Sequence, residues 1–270
     1  MIQRFLTHIA WPVRVLWITV ALAQNTFTPS TWAMWIIAAF AMWILHPISL
    51  SAIRIAAPGV AAIAISRLPN SHFEPFPVAT ATLAVIALLL IYTSDYGSVH
   101  VQSGAYGNER RYLLRMPVSL ALPTFLAWAV LFALLVSVDY FTTERLWLAA
   151  SGVGIVFAAA TWKLVRQLHR LSQRWLVKVP AGWVIHDGVL LAENMLIRTH
   201  QIVGMKLAPA GTEAIDLSGI TRGVPVEISL RELTDVRLSP LLSKITKTVD
   251  VLHVKQLLVA PNQANLIINV

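Results

Sequence analysis

The stretch LWLAASGVGIVFAAATWKLVRQLHRLSQR, residues 146–174, is where the chain changes character. From Leu146 to Val165 the only charge is Lys163. A helix needs about 20 mostly apolar residues to cross the hydrocarbon, so this run reads as a transmembrane span. Beyond it Arg166, Arg170 and Arg174 follow at four-residue spacing. On a helix continuing from the span they fall in one arc with Lys163, while Leu164, Leu168, Leu171 and Trp175 take the opposite face. Past Trp175 the apolar residues come in short β-type runs. The expected fold class is therefore an α-helical membrane bundle over residues 1–170 followed by a small, mostly-β domain over residues 171–270.

Toward the N-terminus five further apolar stretches can be read: Ile9–Phe27, Thr31–His46, Leu50–Ile65, Pro77–Tyr92 and Val118–Val138. That makes six spans in all. The second to fourth are short for a crossing. The third holds Arg54 and the Pro58-Gly59 pair, so a re-entrant or strongly tilted segment is its alternative reading. Composition supports a membrane protein: 57% of the 270 residues are hydrophobic, 13% are charged, and the mean hydropathy is +0.67. Soluble domains carry about a quarter charged residues, and disordered chains need more charge and less apolar content than this. The chain has no cysteine, which excludes disulfides, thiolate metal sites and cysteine nucleophiles.

Net charge is +8, and the excess sits in the first part: residues 1–170 hold 11 Lys and Arg against 5 Asp and Glu, residues 171–270 hold 10 against 8. These cations flank apolar runs, so anionic lipid headgroups and topology explain them better than nucleic acid does. In the six-span arrangement Arg4, Arg14, Arg54, Arg110, Arg111, Arg115, Lys163, Arg166, Arg170 and Arg174 fall on one side, and only Arg67 and Arg145 on the other. By the positive-inside rule both termini are expected in the cytoplasm, in a multi-pass inner-membrane protein. Ala21-Leu22-Ala23 resembles a signal cleavage site, but Pro12 and Arg14 interrupt the apolar core such a signal needs. Trp11, Trp32, Trp147 and Trp162 stand near span ends, where indole prefers the headgroup boundary. Ala150, Gly154 and Ala158, and also Ala57 and Ala61, repeat at four-residue spacing and are expected to pack helices within the bundle, with a dimer face as the alternative. Pro123 is expected to bend the fifth span.

From Leu176 onward, candidate strands are Leu176–Val179, Trp183–His186, Met195–Arg198, Ile202–Leu207, Ala214–Leu217, Val224–Leu230, Val249–Val254 and Gln256–Val259, separated by turns such as Asp187-Gly188 and Arg222-Gly223. A short helix is expected after Pro261. The segments SLSAIRIAAPG (49–59), YGNERRYLLRMP (106–117) and VPAGWVIHDG (179–188) together resemble an uncharacterised family of multi-span actinobacterial membrane proteins, and the strand-rich tail resembles a bacterial PH-like domain. That resemblance implies two packed antiparallel sheets closed by a C-terminal helix, and it brings no reaction. The His186-Asp187-Gly188 turn lacks the basic cluster of phosphoinositide-binding PH domains, so fold carries over without the familiar ligand.

Chemistry is hard to find. The 8 histidines are scattered, His72 with Glu74 being the only local pair, and no HExxH, Walker A, GxGxxG or GxSxG pattern occurs. No catalytic, cofactor or metal residue is assigned. Arg14 and Arg54 lie near cytoplasmic span ends, where a long side chain can snorkel to the headgroups. The loop Ser94–Pro117 gathers Tyr106, Arg110, Arg111, Tyr112 and Arg115. With Arg166, Arg170 and Arg174 at the last span's exit, these arginines are the candidate contacts to anionic lipid or to a docked protein. The expected role is interaction or scaffolding without catalysis; a small transporter or its accessory subunit is the competing class.

Overall fold

The computed structural model describes residues 2–23, 28–240, 243–244 and 251–268, with side chains from residue 9 onward. The chain divides into a helical unit, residues 1–104 and 124–169, and a β unit, residues 105–123 and 170–270.

The helical unit contains α1 (Ile2–Leu22), α2 (Pro29–Trp43), α3 (Pro47–Ser66), α4 (Pro75–Ile91), α5 (Ser94–Ser103), α6 (Ala121–Thr143) and α7 (Trp147–Ser172). Its centre is α3, the span that reads weakest in the sequence. Leu50, Ile53, Ala57, Val60 and Ala61 are buried there, and small side chains are what let α2 and α4 approach this helix closely. Pro58 is accommodated inside the helix, and Ala57 and Ala61 pack within the unit as expected. Indoles clasp α1 to α2 reciprocally: Trp17 Nε1 donates to the Trp35 carbonyl (3.1 Å) and Trp35 Nε1 to that of Trp17 (2.9 Å).

The expectation of about six spans, three of them short, is supported only in part. Among the described residues three helices are long and apolar enough to cross a membrane: Pro47–Ser66, Val118–Thr143 and Trp147–Ser172. A fourth crossing needs α4 and α5 taken together, and these are bent by 59°. At 1.5 Å per residue the 15 residues of α2 reach only about 22 Å, short of the roughly 30 Å hydrocarbon core. Two further expectations change. Pro123 falls in the first turn of α6, where no intrahelical hydrogen bond is lost and no mid-span bend results. Gly154, read as a packing position, faces open space, and most of α6 and α7 is exposed.

The β unit has two four-stranded sheets, ordered β1-β2-β3-β4 and β5-β7-β8-β6. Their strands are β1 (Arg110–Leu113), β2 (Trp175–Val179), β3 (Gly182–His186), β4 (Met195–Arg198), β5 (Ile202–Leu207), β6 (Ile215–Asp216), β7 (Val226–Arg237) and β8 (Val251–Val259), followed by the short helix α8 (Asn265–Ile268). All pairings are antiparallel except β6 with β8. Leu176, Ile185, Ile197, Ile228, Leu230, Leu257 and Ile267 lie in one buried core drawn from both sheets and α8.

The unit is not confined to residues 171–270. Strand β1 comes from the loop before α6 and pairs with β2 in the register Arg110↔Lys178 to Leu113↔Trp175. Its continuation crosses to the second sheet: Arg115 N–H donates to the Ala260 carbonyl (2.7 Å), and Asn262 N–H donates to that of Leu113 (2.8 Å). Tyr112 and Leu114 enter the common core. One stretch of loop thus supplies an edge strand and ties the two sheets together.

Candidate membrane-docking surface

The structure divides the six singled-out arginines into three groups. Arg110, Arg166 and Arg170 are exposed, as is Lys163. Arg166 lies over the Trp162 ring at 3.7 Å, a cation–π contact at the end of an apolar helix. Arg111 and Arg115 are partly covered. Arg111 pairs with Glu109 (3.1 Å) and sits 5.4 Å above Trp175, whose ring stacks on His186. Arg115 donates through one terminal nitrogen to the carbonyls of Arg222 (3.0 Å) and Val224 (3.2 Å).

Arg174 corrects the four-residue stripe. Helix α7 ends at Ser172, so Arg174 and Trp175 leave the helical period, and Trp175 opens β2. The Arg174 side chain is 1% exposed and forms a buried ion pair with Asp187. Its Nε (2.8 Å) and one terminal nitrogen (2.7 Å) both donate to Oδ2, and its other terminal nitrogen donates to the Arg115 carbonyl (2.8 Å). Asp187 Oδ1 accepts from the backbone N–H groups of Val189 and Leu190, both at 3.1 Å. The carboxylate therefore closes the turn after β3 and neutralises the guanidinium at once. Such a group holds the domain together and offers nothing to a lipid. Asp187-Gly188 is visible in the sequence as a turn, but nothing local marks Asp187 as the partner of Arg174.

Compared with protein-family models, curated proteins and solved structures, the chain matches none.

Of the two span arginines singled out in the sequence, Arg14 is held by hydrogen bonds, while Arg54 lies against a ring with its Nε unpaired among the described residues. Arg14 donates through Nε (3.0 Å) and a terminal nitrogen (2.9 Å) to the Met42 carbonyl, one of the acceptors left open at the C-terminal end of α2. Its guanidinium is flanked by the rings of Trp11 (5.1 Å) and Trp43 (4.7 Å). Arg54 lies 5.4 Å from the Tyr92 ring centre, and the Tyr92 hydroxyl donates to the Arg54 carbonyl (2.9 Å). Snorkelling into free headgroup space does not describe Arg14, which caps a neighbouring helix.

In the β unit one further carboxylate is tied down. Glu227 accepts from the Thr212 hydroxyl (2.7 Å) and lies 3.3 Å from Lys206 Nζ. The Thr212 hydrogen bond, with help from Lys206, holds its carboxyl below the usual glutamate range. Of the cations singled out in the sequence around the last span's exit and the preceding loop, Lys163, Arg166, Arg170 and Arg110 are exposed. Near an anionic leaflet each contributes about 1 kcal/mol within a Debye length, an attraction that salt screens.

Proposed function

We propose that the protein is a membrane-anchored interaction platform of the inner membrane, without catalysis of its own, whose β unit is held against the anionic cytoplasmic leaflet and presents a scaffold there. The observation that carries this reading is the double attachment of the β unit. It is entered from α7 through β2, and it takes β1 from the loop that leads into α6, so two apolar spans start or end at its boundary. A domain tethered twice is restricted in its distance from the bilayer, which raises the effective concentration of each surface cation at the headgroups. A PH-like assignment for the unit fits the two sheets and the terminal α8 and belongs to the same proposal.

The test is protease accessibility of the β unit in inside-out vesicles. The variant changes Arg110, Arg166 and Arg170 to Gln and leaves Arg174 in place, because losing Arg174 would destabilise the domain and raise cleavage without any undocking. Wild type is expected to be cleaved several-fold more slowly at low salt than at high salt, and the triple variant quickly at both. Equal rates in all four conditions would reject docking.

Transport is the second reading, favoured by Arg54 Nε and the Tyr96 hydroxyl, which are buried without a hydrogen-bond partner among the described residues. An anion-dependent thermal shift that Arg54→Gln abolishes would favour it.

A further inference from the structure

The loop between β6 and β7 holds an isoleucine in a conformation that isoleucine avoids. Ile220 has φ of +57°, in the left-handed region where a β-branched side chain is an outlier, and it is 75% exposed. Three sets of contacts impose this shape. Asp216 accepts from the Ser218 N–H (2.7 Å) through Oδ1 and from the Ile220 N–H (3.1 Å) through Oδ2. Gly219, at φ of +72°, lies against Pro117 so closely that a Cβ would come within 3.1 Å of the proline ring. Arg115 holds the far side through the carbonyls of Arg222 and Val224. A strained, solvent-facing apolar side chain contributes nothing to the β unit itself, and strain of this kind persists where surrounding contacts over-determine it for another use.

The last contact shows where the loop is aimed. The Ile220 carbonyl accepts from the N–H of Val118 (3.0 Å), and Val118 is the first residue of the apolar span Val118–Thr143. Ile220 is therefore one hydrogen bond from the first residue of that candidate span. Val118 and Val224 beside it are 46% and 50% exposed, and Arg115 and Arg222 flank them with positive charge. Apolar side chains bordered by arginines suit the boundary between headgroups and acyl chains.

We propose that the Gly219–Val224 loop is a membrane-inserting wedge: Ile220, with Val118 and Val224, is immersed at the acyl boundary of the cytoplasmic leaflet, while Arg115 and Arg222 lie at phosphate level. The wedge fixes the depth of the β unit by apolar burial. It is distinct from docking through Arg110, Arg166 and Arg170, which depends on charge and is screened by salt.

The test uses the full chain, which has no native cysteine, carrying Ile220→Cys with a nitroxide label in phosphatidylcholine vesicles with or without phosphatidylglycerol. Collision with oxygen, which concentrates in acyl chains, is compared with collision with a water-soluble nickel chelate; Val203→Cys on β5 is the control. The oxygen-to-nickel ratio is expected to be several-fold higher at Ile220 than at Val203, in both lipid mixtures and at both low and high salt. A second measurement keeps the result independent of the label at Ile220. A label at Val224→Cys should become several-fold more accessible to nickel when Ile220→Asn is added, since asparagine tolerates the left-handed backbone and removes only the apolar group. An Ile220 label as water-accessible as that at Val203, or immersion that salt abolishes, would overturn the wedge. Loss of immersion with salt would leave the basic docking surface standing, and immersion without salt-dependent protection would leave only the wedge.

Discussion

Expressed alone, Leu171–Val270 is expected to aggregate or to show no cooperative thermal transition, whereas the same segment joined through a flexible Gly/Ser linker to residues 105–120 is expected to be monodisperse, mostly β and cooperative. The fragment lacks β1, so Tyr112 and Leu114 no longer cover the core and Leu113 loses its place opposite Trp175; each of the three is less than a tenth exposed in the intact chain. At about 1.5–3 kcal/mol per large buried side chain the three are worth roughly 5–9 kcal/mol, an upper figure because unfolded chains are partly compact. Small domains have only about 5–15 kcal/mol of stability in total. The loss also bares the backbone edge of β2, whose Trp175, Leu176 and Val177 are all buried in the intact unit, and an uncovered apolar edge is an aggregation site. Residues 114 and 174 are hydrogen-bonded neighbours, with the Leu114 N–H donating to the Arg174 carbonyl at 2.9 Å, so a linker can replace the two spans without strain. Circular dichroism with a thermal melt decides the matter: identical melts for fragment and fusion would show that β1 is dispensable.

The second large effect is at the ion pair. Arg174→Gln is expected to destabilise the β unit by about 3–5 kcal/mol, because it leaves the Asp187 carboxylate buried without its cation. Arg166→Gln and Arg170→Gln, at exposed positions, are expected to change stability by less than about 0.5 kcal/mol. A partner substitution separates loss of the pair from loss of the turn. Arg174→Met with Asp187→Asn keeps an amide oxygen for the Val189 and Leu190 N–H groups while removing both charges, and should recover much of the stability that Arg174→Gln loses. Chemical denaturation measures all four variants in a linked β unit lengthened to begin at Arg166, so that Arg166 and Arg170 are present. Equal midpoints for Arg174→Gln and Arg170→Gln would contradict a structural role for Arg174.

These results bear on what the sequence could reveal. Most strands were legible because each pairs short apolar runs with nearby turn residues: β4 and β5 have the expected limits, and β2 and β3 differ by one residue. Strand β7 runs past its apolar pattern and β8 joins two runs that read as separate strands, Val249–Val254 and Gln256–Val259; Arg231, Glu232 and Lys255 lie at a register shift between Ser229 and Thr234, beyond which Thr234–Arg237 resume pairing with Val251–Val254. Strand β1 was hidden. Arg110-Arg111-Tyr112-Leu113 is short and half charged, and its partner lies more than sixty positions along the chain, which no local pattern records. Helix α5 reads as loop because its composition is polar, although Thr93 is a visible N-cap, accepting from the Tyr96 N–H. The Arg174 misreading has the same origin as the stripe itself. No glycine or proline marks the stop at Ser172, so helical periodicity extrapolates past the place where the chain turns. The candidate surface was thus half legible: the sequence shows which residues are charged, and only the fold shows which of them are already paired.

The loop before α6 completes the β unit, and the proposed docking places that unit on the cytoplasmic side. Arg110→Cys with Lys178→Cys tests this directly, because these residues are register partners on neighbouring strands and the background is free of cysteine. With a short, membrane-impermeant bifunctional thiol reagent, the pair is expected to cross-link in inside-out vesicles and to remain unlinked in intact cells. Cross-linking in intact cells, or two labelled but unlinked cysteines in inside-out vesicles, would contradict it.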